Sequence, residues 1–248
     1  MHIACRSAAA GEVAVARIKS ESGSADVWLL PLDLASLSSV RECAASFLAR
    51  DEPLHVLLNN AGVGGQRGLT ADGFELNFGV NHLGHFALAQ LLLDRLTASG
   101  PDARIVNVSS DSHYGAPGID FTAVRRPTAT FTGGREYSAS KLCNVLFTQE
   151  LARRLDAAAV RAYALHPGVV ASDIWRRVPR LARWALTRRM LTTEQGAVTS
   201  VYCATSPAVA ADSGLFYDQC TVKAASPVAT PELAELLWKY SAEWTGLG

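Results

Sequence analysis

The chain has 248 residues, 49% apolar and 19% charged, enough for one large domain with a sizeable buried core. Its 23 Lys and Arg balance 23 Asp and Glu, so no global field draws it to nucleic acid or an anionic membrane. No window reaches the roughly 18 uninterrupted apolar residues of a spanning helix, and Arg6 interrupts the start before a signal-peptide core develops.

Short apolar runs alternate with amphipathic stretches along the chain. Residues 2–5 read as a strand stub, 11–20 as a helix, 26–32 as a strand and 37–49 as a helix. A strand at 54–58 ends in Asn59-Asn60-Ala61-Gly62, and a long, mostly apolar helix covers 72–96. A strand at 104–108 runs into Ser109-Ser110, and a helix spans 136–155. A strand at 161–165 precedes His166-Pro167-Gly168. A helix at 193–205, a short strand at 214–217 and a helix at 231–241 complete the chain. This alternation predicts a doubly wound α/β parallel sheet, Rossmann-like, in one domain over residues 1–248. The run 105–108 is apolar on both faces, as a strand covered on both sides requires. Ligands of such sheets gather at the C-terminal strand ends, where Asp33, Asn59-Asn60, Ser109-Ser110 and His166-Pro167-Gly168 fall.

The five cysteines are widely spaced and include no C-x-x-C pair, which suits core thiols in a reducing, intracellular compartment. His82 and His85 form H-x-x-H in an apolar helix. With no further ligands evident they are expected to be packed core histidines, and no metal site is expected. Asn107-Val108-Ser109 matches a glycosylation sequon but lies in a predicted buried strand.

The chemistry concentrates in Tyr137-Ser138-Ala139-Ser140-Lys141. On a helix, i and i+4 share a face, so the Lys141 ammonium can approach the Tyr137 phenol and favour phenolate, a group able to exchange a proton with an alcohol or carbonyl oxygen. Alone, this spacing is common on exposed helices. Here Ser110 closes the strand upstream, and Asn81 sits in an otherwise apolar helix, where an amide is costly unless satisfied.

Taken in order, Asn59-Asn60-Ala61-Gly62, Asn81, Ser110, Tyr137 with Lys141, and Pro167-Gly168 resemble the short-chain dehydrogenase/reductase family over essentially the whole chain. The resemblance is closest to its retinol-dehydrogenase-like branch, through ACRS (4–7), LDLAS (32–36), VNHLGHF (80–86), IVNVSS (105–110), YSASKLCNVLF (137–147) and HPGVV (166–170). The resemblance implies roles. Tyr137 is the general acid/base; Lys141 lowers its pKa and holds the nicotinamide ribose. Ser110 polarises the substrate oxygen, and Asn81 keeps a water linking Lys141 to solvent. Asn59, Ala61 and Gly62 support the cofactor ribose and the central sheet. Asp33 sits by the adenine, and Pro167, Gly168, Val170 and Ser172 border the nicotinamide. Arg6 resembles a clamp for a 2′-phosphate, favouring NADP(H) over NAD(H); read bare, it is a solvated surface charge.

One part of the family pattern is missing. Family members open with a strand, a T-G-x-x-x-G-x-G turn and a helix, whose backbone amides hold the pyrophosphate. Here the first strand matches the family's second, so roughly 35 residues are expected to be absent upstream, leaving a defect at the sheet centre. The glycine-rich 61–68 run follows the wrong strand and reads as a flexible loop. Residues 172–192 fall where the family has its substrate-covering segment. Arginines between 176 and 189 alternate there with Trp175, Leu181, Trp184, Leu186 and Leu191. Such a segment suits a pocket for a lipophilic alcohol or aldehyde, with peripheral membrane contact through 175–191, or else an ordinary amphipathic lid with solvated arginines. The expected function is NADP(H)-dependent interconversion of lipophilic, retinoid-like alcohols and carbonyls. The competing reading is a catalytically impaired isoform acting through protein contacts. The expected location is cytoplasmic, or an endoplasmic-reticulum or other membrane surface for a form carrying the relatives' apolar anchor.

Overall fold

The structure is a computed structural model, and it describes residues 1–170 and 190–247. Two sheets form. β1 (His2–Cys5) and β2 (Trp28–Pro31) pair in parallel, with α1 (Ala8–Ser22) crossing between them. The second sheet has the order β3-β4-β5-β6-β7: Val56–Asn59, Ala103–Val108, Val160–His166, Leu215–Asp218 and Thr221–Lys223. Its first four strands are parallel and β7 turns back antiparallel.

β4 lies between β3 and β5 and is buried at all six positions. Its side chains alternate between faces. Ile105 packs with Phe86 and Leu96 of α4 (Gly84–Ala98) and with Phe147 and Leu151 of α5 (Gly134–Arg154). Val106 and Val108 face Cys203 of α6 (Thr193–Thr205) instead. This two-sided burial is what a continuous apolar strand predicts. Helix ends follow local chemistry. Ser7, Ser36 and Thr230 cap α1, α2 (Leu37–Leu48) and α7 (Pro231–Thr245) by accepting backbone N–H groups, and Thr192 with Gln195 forms a capping box on α6.

The expected break at the sheet centre is present as an absence of pairing between β1 and β3. The halves are held by α2 and α4. Phe47, Cys43 and Val40 pack with Leu30 of β2 on one side and with Ala87, Leu88 and Leu92 on the other. On the opposite face Val56 and Leu58 of β3 are exposed, as are Val13 of α1 and Val198 and Val201 of α6. These residues would be expected under a covering element in a closed α/β sheet.

Three features depart from the predicted elements. The helix predicted at 72–96 begins only at α3 (Leu76–Phe78), then passes through a π-helical turn (Gly79–Leu83) before α4. The hairpin to β7 was not legible because its turn residues, Gln219 and Cys220, hold left-handed backbone (φ 49° and 61°) without being Gly, Asn or Asp. The last helix runs on to Thr245, where Gly246 (φ 65°) ends it.

Candidate active site

The C-terminal ends of β3, β4 and β5 and the first turns of α5 enclose the site. Ser109 and Ser110 follow β4 directly. The Ser109 hydroxyl donates to the Lys141 carbonyl (2.7 Å) and its amide to Leu165 of β5 (2.7 Å), which ties α5 and β5 to the end of β4. Tyr137 and Lys141 lie one helical turn apart on α5. Their side chains share a face, with Lys141 Nζ 5.6 Å from the Tyr137 ring centroid. The Ser110 side chain lies close enough to the Tyr137 phenol to act on its pKa, while its hydroxyl accepts the Ser112 amide (3.1 Å) and donates to Ser112 Oγ (3.2 Å). Serine, tyrosine and lysine thus come together at one place.

Electrostatics modify the expected division of labour. Lys141 is buried, and burial brings its ammonium down from 10.5 to about 8. Its Nζ donates to the Val108 carbonyl (2.9 Å), which also accepts from Asn144 Nδ2 (3.1 Å). The ammonium is therefore directed at backbone, not at the phenol oxygen. Burial pushes the Tyr137 phenol above its usual 10, and Ser110 acts in the lowering direction.

Asn81 lies in the π-helical turn and is fully buried. Its Oδ1 accepts from the Val63 amide (2.8 Å), and its Nδ2 donates to the Val63 carbonyl (2.9 Å) and Ser140 Oγ (2.9 Å). Its own carbonyl accepts from His85 Nδ1 (3.0 Å). The Asn81 amide thus joins the loop after β3 to the helix that carries Tyr137 and Lys141. A Cβ added to Gly62 would stand 3.1 Å from Asn81 Oδ1 and 3.6 Å from Lys141 Nζ. The loop, the amide and the ammonium therefore meet at one point.

The remaining predicted positions spread along the strand ends. Asn59 ends β3 and donates to Asn107 Oδ1 (2.8 Å), with Ala61 and Gly62 in the loop beyond. Pro167 and Gly168 follow β5. Gly168 holds φ 85° against the Leu191 side chain, and Val170 bridges to Leu191. Arg6 and Asp33 lie just beyond the ends of β1 and β2, in the other sheet. Arg6 is exposed, and Asp33 Oδ1 accepts the Ala35 amide (3.0 Å). Ser172 and residues 175–189 lie outside the described residues.

His82 and His85 are buried and neutral, driven down to about 3 and about 4 by burial. His82 Nε2 meets Ser241 Oγ (2.9 Å), and no metal-holding cluster occurs among the described residues. Asn107 of the sequon is buried. Cys43, Cys143 and Cys203 are buried, Cys5 and Cys220 half-buried, and all five are free thiols. Sequence reasoning missed Asn144 and His113. Their only signals were a polar residue one turn after Lys141 and a histidine three residues after Ser110.

A short chain dehydrogenase family model matches residues 1–181. Human retinol dehydrogenase 12 is 42% identical over 253 residues, covering 100% of this chain and 78% of that protein. Human dehydrogenase/reductase SDR family member 13 is 39% identical, covering 99% and 66%. Among solved structures, an uncharacterised protein from Mycobacterium Paratuberculosis superposes with a TM-score of 0.73 at 32% identity, covering 99% of this chain and 83% of that one. The Pseudomonas aeruginosa RhlG/NADP active-site complex superposes at 0.67 with 22% identity, covering 92% and 86%. Ordered motifs, strand order and these likenesses agree: the chain belongs to the short-chain dehydrogenase family, in its retinol-dehydrogenase-like branch.

Proposed function

We propose that the chain is an NADP(H)-dependent oxidoreductase that interconverts lipophilic alcohols and their aldehydes or ketones, retinoid-like molecules among them. The observation that carries this reading is the placement of Tyr137 and Lys141 on one face of α5, with Lys141 Nζ 5.6 Å from the phenol ring and Ser110 beside them after β4. Relatives named retinol dehydrogenases and a solved neighbour holding NADP support the substrate class and the cofactor.

The residues fit the two ends of such a cofactor. Gly62 leaves open the space beside Lys141 that a side chain would fill, and Lys141, Tyr137, Pro167, Gly168 and Val170 would border the nicotinamide and its ribose. Arg6 and Asp33 would receive the adenine end and its 2′-phosphate. The middle fits less well. The helix after β1 starts at a Ser7 cap and not at a glycine-rich turn. When bound, the cofactor supplies or accepts the hydride. Tyr137 then gives or takes the proton at the substrate oxygen through its phenol, and Ser110 orients that oxygen by donating a hydrogen bond. Lys141 holds positive charge beside the phenol ring and, at about 8, is close to exchanging a proton at neutral pH. The apolar residues and arginines of 172–192 suit, by sequence, a lipophilic substrate and a membrane surface where such substrates dissolve.

The test is NADPH oxidation, followed by absorbance, with a long-chain aldehyde. Turnover is expected in the parent chain and should fall by about 10²–10⁴-fold in Tyr137→Phe. Equal rates in both would sink the assignment. The unpaired edges of β1 and β3 favour a second reading, in which this chain is catalytically impaired and acts through protein contacts. Absence of turnover at any cofactor concentration, with the fold intact, would select it.

A further inference from the structure

The chain leaves β4 through Ser110 and enters a 3-10 turn, Asp111–Gly115. His113, inside that turn, is fully buried, and both of its ring nitrogens are engaged. Nε2 lies 3.1 Å from the Ser226 backbone nitrogen, and Nδ1 lies 2.7 Å from the Ser110 carbonyl oxygen. A backbone N–H can only donate, so Nε2 must be the bare acceptor. The single proton of the neutral ring then sits on Nδ1 and is donated to Ser110. The ring is wedged against Tyr114 (4.0 Å between centroids) and edge-on to Phe216 (4.7 Å). The same Ser110 carbonyl accepts the His113 backbone N–H at 3.0 Å. Two donors from one residue therefore fix the peptide plane that follows the Ser110 side chain.

The segment after β7 is fastened to this turn at further points. Lys223 Nζ lies 3.2 Å from both Asp111 carboxylate oxygens, and the Tyr114 hydroxyl donates to the Ala224 carbonyl at 2.5 Å. We propose that His113 is a positioning residue: its neutral ring fixes the Ser110 carbonyl, and with it the direction in which the Ser110 hydroxyl meets Tyr137, and it couples that direction to the segment 223–226. This rests on the proposed roles of Ser110 and Tyr137.

The surroundings keep the ring neutral. Burial lowers its pKa below the usual 6.5, and Lys223 of β7 and His166 of β5 add to that; the Ser110 carbonyl and Asp111 oppose it. A second proton would have to enter at Nε2, against the Ser226 N–H, and would open the bridge from that side.

Two substitutions divide the bridge. His113→Gln can keep an acceptor near the Nε2 position but loses the donor to Ser110. His113→Asn can keep a donor near the Nδ1 position but loses the acceptor for Ser226. The readout is the Tyr137 phenol titration in chain carrying ¹³Cζ-tyrosine, with Ser110→Ala as the reference. Ser110 acts to lower the phenol pKa, so Tyr137 should titrate at higher pH in S110A, shift in the same direction in H113Q, and move less in H113N. A simple loss of packing would not order the variants this way. A Tyr137 titration in H113Q that matches the parent, while S110A shifts, overturns the positioning role and leaves the proposed reaction standing. A flat response in S110A removes the Ser110–Tyr137 pairing, and both readings fall with it. Ring ¹⁵N shifts of the parent chain need no variant: protonated Nδ1 and bare Nε2 at neutral pH are expected, and the reverse tautomer overturns the bridge.

Discussion

Replacing Lys141 by Met should stabilise the fold while it destroys the site. The ammonium is buried, and taking it from 10.5 to about 8 corresponds to about 3 kcal/mol against the charged form. Met has similar length and no charge to desolvate. The Val108 carbonyl that Lys141 serves would not be orphaned, because Asn144 Nδ2 also donates to it at 3.1 Å. Allowing for imperfect packing, K141M should gain about 1–3 kcal/mol at pH 7. The sign follows from proton binding. Below about 8 both folded and unfolded Lys141 are charged, and the folded chain bears the full cost. Between about 8 and 10.5 the unfolded chain binds the proton more strongly, so the parent's stability rises with pH and the advantage of Met shrinks. Urea unfolding of both chains at pH 7 and pH 10 measures this. A less stable K141M at pH 7, or a difference that does not change with pH, would refute the reasoning.

Asn81→Ala removes three hydrogen bonds that join Val63 and Ser140; a loss of about 2–4 kcal/mol is expected in urea, with faster hydrogen exchange at the Val63 amide. Thiol labelling should reach Cys5 and Cys220 first and Cys143 last, since burial raises the Cys143 thiol furthest and holds Cys43 at about 11 and Cys203 at about 12; early modification of Cys143 would contradict the packing of α5. Appending a strand, glycine turn and helix ahead of His2 should tighten NADPH binding. Two amide bonds to pyrophosphate are worth about 3–6 kcal/mol, or about two to four decades of affinity; nicotinamide fluorescence showing equal affinities would mean that another segment, such as the loop at 61–68, holds the phosphates.

Much of this was legible in the sequence because it rests on periodicity. The apolar run of β4 and the amphipathic helices appear within a few residues of their predicted places. The break between β1 and β3 was expected because the first strand of the sequence matches the second strand of the family pattern. What escaped prediction depends on tertiary partners. The π-helical turn at Gly79–Leu83 has no periodic signature, yet it sets the Asn81 amide between Val63 and Ser140. The spacing of Tyr137 and Lys141 gave their shared face but not the direction of the ammonium, which the Val108 carbonyl decides. His113 is one of six histidines, and only the fold of segment 223–226 onto the Ser110 turn gives it a partner on each nitrogen.

The most direct test of the central claim follows the hydride itself. The chain is incubated with a lipophilic aldehyde and NADPH deuterated at nicotinamide C4, at cofactor concentrations well above its Kd, and the alcohol is analysed by mass spectrometry. One deuterium per alcohol formed is predicted in the parent chain, with product formation lost in Tyr137→Phe. Alcohol without deuterium, or labelled alcohol formed equally by the Phe variant, would contradict the account.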